Sequence, residues 1–277
     1  MRPMMRTMRM PLLMVLGFAV AFTALAPYFV MLFTALKPGS ELYTTPATVL
    51  PVEWHWSNFV EIWSAAPIAT YLLNSVIITV AATAIVLVVA VPAAYYVARF
   101  RFRGRTLFML FTLFTQMIAP TAVLIGIFRE FRNFDLIDNL WALILTDAAF
   151  NLAFALWILM SFFSSIPEEI EEAARIDGCS RLGVLWRVVL PLAGPGIVTA
   201  VVFTFVAVWN EFVVALTLIS SDENKPLSVG ITGFIGQYDV QYQYLFATSL
   251  IAIVPVVVMF ALIEKKLVGG LTAGAVK

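Results

Sequence analysis

Val76-Ile77-Ile78-Thr79-Val80-Ala81-Ala82-Thr83-Ala84-Ile85-Val86-Leu87-Val88-Val89-Ala90-Val91-Pro92-Ala93-Ala94 decides the fold. The charge-free window around it runs from Ile62 to Ala98. A helix needs about 20 apolar residues to cross the hydrocarbon core of a bilayer, and this window exceeds that, leaving room for an interfacial segment near Ile62–Ile68. Five further windows flank it: Met10–Leu36, Thr106–Phe128, Ala148–Pro167, Val188–Asn210 and Val240–Ile263. They place six transmembrane helices at approximately 11–36, 70–98, 106–128, 141–164, 192–219 and 243–263. Pro27, Pro92, Pro120 and Pro255 fall inside these windows, where neighbouring helices can repair the backbone groups a proline frees.

Composition agrees. Of 277 residues, 62% are hydrophobic and 12% charged, half the charged share of an ordinary soluble domain. The formal net charge is zero, which gives no reason to expect nucleic-acid binding. One cysteine, Cys179, excludes an internal disulfide, and with His55 as the only histidine no Cys/His metal cage is available. The first window also resembles a signal peptide, with a basic Met1–Arg9 and Ala24-Leu25-Ala26 in place of a cleavage site. Its apolar run is longer than the usual 7–15 residues or so, and Pro27 follows the would-be cut, so a retained helix is expected.

Thirteen of the 17 basic residues fall in one set of connections: Arg2, Arg6, Arg9; Arg99, Arg101, Arg103, Arg105; Arg175, Arg181, Arg187; Lys265, Lys266, Lys277. The other set holds Lys37, Arg129, Arg132 and Lys225. The positive-inside rule makes the first set, and both termini, cytoplasmic. Of the outward connections, Lys37–Ile62 carries Trp54 and Trp56 and suits the headgroup region. Ser220–Gln243, with Gly230, Gly233 and Gly236, reads equally as a loop reaching toward an extracytoplasmic partner and as an ordinary hairpin.

The inward connection at 165–191 is the most informative. Ser165 followed by Glu168 has capping-box spacing, and Pro167 suits a first helical turn. Glu168, Glu169, Glu171 and Glu172 favour the positive pole of that helix, and Gly178 is placed to close it in the left-handed conformation. A second short helix follows, because Leu182, Leu185, Trp186 and Val189 fall at i, i+3, i+4 and i+7. The pair makes a helix–turn–helix knob.

Glu172-Ala173-Ala174, then Gly178, Val188 and Leu190-Pro191, at this spacing, resemble the EAA loop of binding-protein-dependent ABC importer permeases, with Val188 where isoleucine is usual. Trp209-Asn210-Glu211-Phe212 and the Gly269–Lys277 tail are similar to the maltose-permease-like carbohydrate branch, so the resemblance runs from Met10 to Lys277. It implies an all-α integral membrane permease working as a heterodimer with a second permease. Two copies of a cytoplasmic ATPase and an extracytoplasmic solute-binding protein would complete the assembly. Glu172, Ala173, Ala174, Asp177, Gly178, Leu190 and Pro191 would dock on the ATPase. The chain has no GxxxxGK[ST] phosphate loop; ATP and Mg are expected on the ATPase partners, with no cofactor, metal or catalytic group on this chain. The solute implied is a sugar, polyol or glycerol-phosphate-like compound, and the compartment the prokaryotic inner membrane.

Polar residues inside the spans are path candidates because a charge at the centre of a membrane helix costs about 2.5–3.5 kcal/mol even on insertion scales. Glu211 is the sharpest, beside Trp209 and Asn210, with Gln116, Asn151 and Asn74 milder. A structural hydrogen bond serves equally for Glu211. Asp147, near the end of its span, is expected at the interface. A self-sufficient, ion-gradient-driven transporter is the alternative; such proteins carry internal repeats, and none is evident.

Overall fold

The computed structural model describes the backbone of residues 2–273 and the side chains of residues 13–264. The tail residues Gly274–Lys277, part of the resemblance above, lie outside the described residues. Among the described residues no β-strand forms; one isolated bridge joins Ile235 to Val240. The helices are α1 (Arg2–Ala35), α2 (Asn58–Ala65), α3 (Ile68–Arg99), α4 (Arg105–Met117), α5 (Pro120–Asn133), α6 (Leu140–Ser165), α7 (Glu168–Ile176), α8 (Arg181–Val184), α9 (Leu190–Leu192), α10 (Gly194–Trp209), α11 (Val213–Leu218), α12 (Leu227–Gly230) and α13 (Tyr242–Ala273). The β-branched residues of α3 weaken a helix in water. In hydrocarbon an unmade backbone hydrogen bond costs several kcal/mol, so the helix is enforced.

Four helical stretches are each long and apolar enough to cross a bilayer: Leu13–Ala35, Ile68–Arg99, Leu140–Ser165 and Tyr242–Glu264. Two bent pairs bring the number to six if each pair is one span: α4 with α5, bent by 92°, and Arg181–Leu192 with α10, bent by 78°. The window at 106–128 is therefore not a straight helix. Pro120 opens α5 and holds Ala119 extended (φ −62°, ψ 133°), away from the helical region. The window at 192–219 is also interrupted, at Asn210–Phe212, between α10 and α11. α13 runs past the end expected for the sixth span at 263, as far as Ala273.

The chain forms two compact units, Met1–Ile68 with Ile231–Val254, and Ala69–Gly230 with Pro255–Lys277. In the first, the carbonyls left over at the end of α1 are met by side chain and loop. Asn58 Nδ2 donates to Ala35 O (2.8 Å) and Lys37 O (2.9 Å), and the His55 N–H to Leu36 O (2.8 Å). Lys37 is buried against Thr48 and lies 3.6 Å from Glu41. The Thr48 hydroxyl, the Val52 N–H and the Lys37 charge together hold the Glu41 carboxyl below the usual carboxylate range, against a smaller push upward from burial. Tyr43 donates to Asp239 Oδ1 (2.8 Å) and Tyr244 to Glu61 Oε2 (2.7 Å).

In the second unit, α3 presents Ile78, Ala82, Val86, Ala90 and Ala94 at i, i+4 intervals, all buried. They join Leu156, Leu159 and Phe163 of α6 in one apolar core. α6 and α10 pack so closely at Gly196 that a Cβ there would fall 2.3 Å from Phe162 Cγ. Asp138 stitches α6's entry to the segment after α11. Burial pushes its carboxyl up, but N–H donors from Ser221 (3.0 Å) and Ser220 (2.9 Å) outweigh this and hold it low.

Candidate functional site

The segment 165–191 forms the expected knob. α7 ends in a Schellman motif: Gly178 has φ +90°, its N–H donates to Arg175 O (3.0 Å), and the Cys179 N–H donates to Ala174 O (3.0 Å). Ser180 Oγ then caps α8 by accepting from the Gly183 N–H (3.1 Å). A wider turn over Leu185–Val189 separates α8 from α9, with the Leu190 N–H reaching back to Leu185 O. It immediately precedes Pro191, whose ring would clash with the Arg187 carbonyl in a regular α-turn.

Two local expectations fail. No capping box forms, because Ser165 ends α6 and donates to Phe162 O (2.7 Å), while Pro167, in extended conformation, opens α7. The apolar stripe of the second helix is split: Leu185 and Val189 are buried, whereas Leu182 and Trp186 are 70% and 66% exposed. With Ile176, 87% exposed, they leave the knob three exposed apolar side chains beside its exposed acids Glu172 and Asp177 in the sequence.

Of the expected docking residues, Glu172, Ala173, Asp177, Gly178 and Pro191 are exposed, while Ala174 and Leu190 are half-buried. Glu172 Oε1 lies 3.9 Å from Arg175 Nη2. The sequence does not separate Glu171 from its acidic neighbours. It is 5% exposed, accepting from Arg99 Nε (2.5 Å) and the Tyr95 hydroxyl (2.7 Å) of α3.

The polar residues of the spans do not gather in one place. Trp209 and Glu211 line a cavity of about 10 Å³ together with Ser75, Thr79, Asp147 and Ser228. Glu211 receives the first N–H groups of α11, from Val214 to Oε1 (2.8 Å) and from Ala215 to Oε2 (2.9 Å). Its own carbonyl accepts from Ser228 Oγ (2.6 Å). Its carboxylate thus serves the helix break, and the cavity lies alongside. Asn210 is exposed and donates within α10 to Val206 O (2.8 Å). Asn151 donates to Asp147 O (2.8 Å), and Gln116 reaches from α4 to Phe150 O (3.2 Å). Neither of the last two lines the cavity. Asp147 is buried, 3% exposed, and lines that cavity with Ser75 and Thr79 of α3 as well as Glu211 and Ala215. Asn74 Nδ2 ties α3 to Glu223 O (2.8 Å). Among the described residues no group of His, Cys, Asp and Glu is placed to hold a metal.

Long lipid-length helices, a helix break stitched by a half-buried acid, and a helix–turn–helix knob between two spans define a multi-pass permease. The chain belongs to the family described as the binding-protein-dependent transport system inner membrane component, which matches residues 87–265. It is 33% identical over 96% of its length, and 94% of the relative's, to the sulfoquinovosyl glycerol transport system permease protein of Agrobacterium fabrum. It is 31% identical, over 96% of both chains, to the trehalose/maltose transport system permease protein of Thermococcus litoralis. A solved bacterial ABC transporter involved in the import of the acidic polysaccharide alginate contains a chain of the same fold. The TM-score is 0.80 and the identity 25%, covering 96% of this chain and 98% of that one.

Proposed function

We propose that this chain is one of two permease subunits of an ATP-driven carbohydrate importer in a prokaryotic inner membrane. The observation that carries the reading is the knob at 165–191: a small, closed helix pair whose exposed surface combines acids with apolar side chains, as a protein docking face does. Acidic charge on its outer surface disfavours resting on a membrane, where basic residues are the rule. The knob is the docking surface for a cytoplasmic ATPase, contacted by Glu172, Ala173, Ala174, Asp177, Gly178, Leu190 and Pro191. The positive-inside charge bias supports a cytoplasmic position for that surface and both termini. ATP and Mg belong to two ATPase copies, and a solute-binding protein delivers cargo from the other side. The solute class is glycosidic, in keeping with relatives named for a sulfoquinovosyl glycerol, trehalose or maltose, and alginate. Trp209, Asn210 and Glu211 at the helix break, with Gln116 and Asn151, are the path candidates on this chain.

The test is a tagged pull-down from gently solubilised native membranes, followed by mass spectrometry. The expected outcome is a phosphate-loop ATPase and a second multi-span protein in the eluate. A chain that elutes alone, in a detergent that preserves such complexes, removes the docking role of the knob.

A further inference from the structure

Glu171 and Glu172 are adjacent, yet they face opposite ways. Glu172 is exposed on the docking surface, whereas Glu171 is buried and points to the end of α3. A buried carboxylate is costly unless fully paired, and this one is held on both oxygens, by Arg99 Nε on Oε1 and the Tyr95 hydroxyl on Oε2. Arg99 extends the cluster: its Nη2 donates to Ile166 O (2.9 Å), in the link between α6 and α7. One guanidinium therefore fastens the end of α3, the hinge before the knob and the knob's first helix. A second fastening lies close by, where the Arg181 guanidinium at the start of α8 sits 5.6 Å over the Phe100 ring. Between the two is a cavity of about 200 Å³ lined by Glu168 and Arg175 as well as these groups, with room for water as the parts shift.

We infer that the Arg99–Glu171–Tyr95 cluster is the joint through which movement of the knob is passed to α3, making these three positioning residues for transport. The inference rests on the ATPase-docking reading above. Nothing else in α7 reaches α3 with a charged hydrogen bond among the described residues, so pull or push on α7 is passed to α3 by this cluster. Such charge-assisted bonds are stronger than neutral ones.

The experiment uses the whole assembly with spin labels at Leu73→Cys in α3 and Leu216→Cys in α11, in a Cys179→Ala background. Their distance distribution is measured without nucleotide and after trapping with ATP, Mg and vanadate. Trapping shifts the distribution in the otherwise wild-type chain. In E171Q, R99Q and the R99Q/E171Q double variant the ratio of shifted to unshifted population falls by about tenfold, the size of an ordinary coupling loss. The ATPase still co-purifies. The double variant leaves no unpaired buried charge, so its thermal unfolding returns toward wild type while the shift stays lost. A double variant that shifts like wild type overturns the joint and leaves the cluster a stability element, as does a wild-type chain that never shifts. Absence of any ATPase from the wild-type preparation sinks the importer reading itself, and the joint with it.

Discussion

Gly178 offers a clean perturbation of the knob, because its cost can be assigned to one cause. The residue has φ +90°, and a Cβ added there meets nothing within 4 Å. Gly178→Ala therefore introduces no clash, and the whole penalty is the left-handed backbone, about 1–2 kcal/mol for a residue with a Cβ. Asn tolerates that region better, so Gly178→Asn should fall between glycine and alanine. The penalty acts on the Schellman hydrogen bonds from Gly178 and Cys179, each 3.0 Å. A change of 1–2 kcal/mol is about a 5- to 30-fold change in an opening equilibrium. Hydrogen exchange of the Gly178 and Cys179 amides in nanodiscs should accelerate by that factor in Gly178→Ala. Unchanged exchange, or an asparagine variant worse than alanine, would refute the left-handed closure of α7.

At the α6–α10 seam, Gly196→Ala puts a Cβ 2.3 Å from Phe162 Cγ and 2.6 Å from its Cβ, atoms that ring rotation cannot move aside. Overpacking of about 1–3 kcal/mol exceeds the roughly 1 kcal/mol that alanine gains in helix propensity. Thermal unfolding in detergent should drop, and an equal or raised midpoint would contradict the close approach. Glu41 has a lowered folded pKa, so its contribution to stability is present above the ordinary value of 4.5 and is lost as pH falls through the lower folded value. Asp138 behaves alike below its ordinary 3.8. Protection of the Val52, Ser220 and Ser221 amides, corrected for intrinsic exchange, should weaken below those values; constant protection down to full protonation would break the assignment. Glu211→Leu removes the acceptor for the Val214 and Ala215 N–H groups. It should impair uptake while membrane content by immunoblot stays normal, and wild-type uptake would take Glu211 out of the path.

What could be read from the sequence was local. Charge-free windows gave helices because the bilayer leaves no other way to satisfy their backbones, and α3 and α6 fill theirs with little displacement. Gly178 was legible because a helix end with a glycine has one favoured closure. Proline was read at Pro120 only as tolerable, whereas it opens a new helix bent by 92° from the one before. Ser165 kept its hydroxyl within α6, an outcome that spacing to Glu168 cannot weigh. Glu171 could not be told from Glu172 because its partner Arg99 lies 72 residues away. Asp147 looked interfacial by its place near a span end; its burial comes from α3 and the Glu211–Ala215 segment, both far from it in sequence. Gln116 and Asn151 were grouped by polarity alone, and each is satisfied separately by a backbone carbonyl.

The central claim is that ATP hydrolysis by a docked partner drives import through this chain. The purified assembly would be reconstituted in proteoliposomes, and uptake measured for the sugar that its co-purifying binding protein retains. Uptake that requires ATP, Mg and the binding protein, and is unmoved by proton or sodium gradients, is the predicted result. Uptake driven by an ion gradient with this chain alone, and indifferent to ATP, would contradict it.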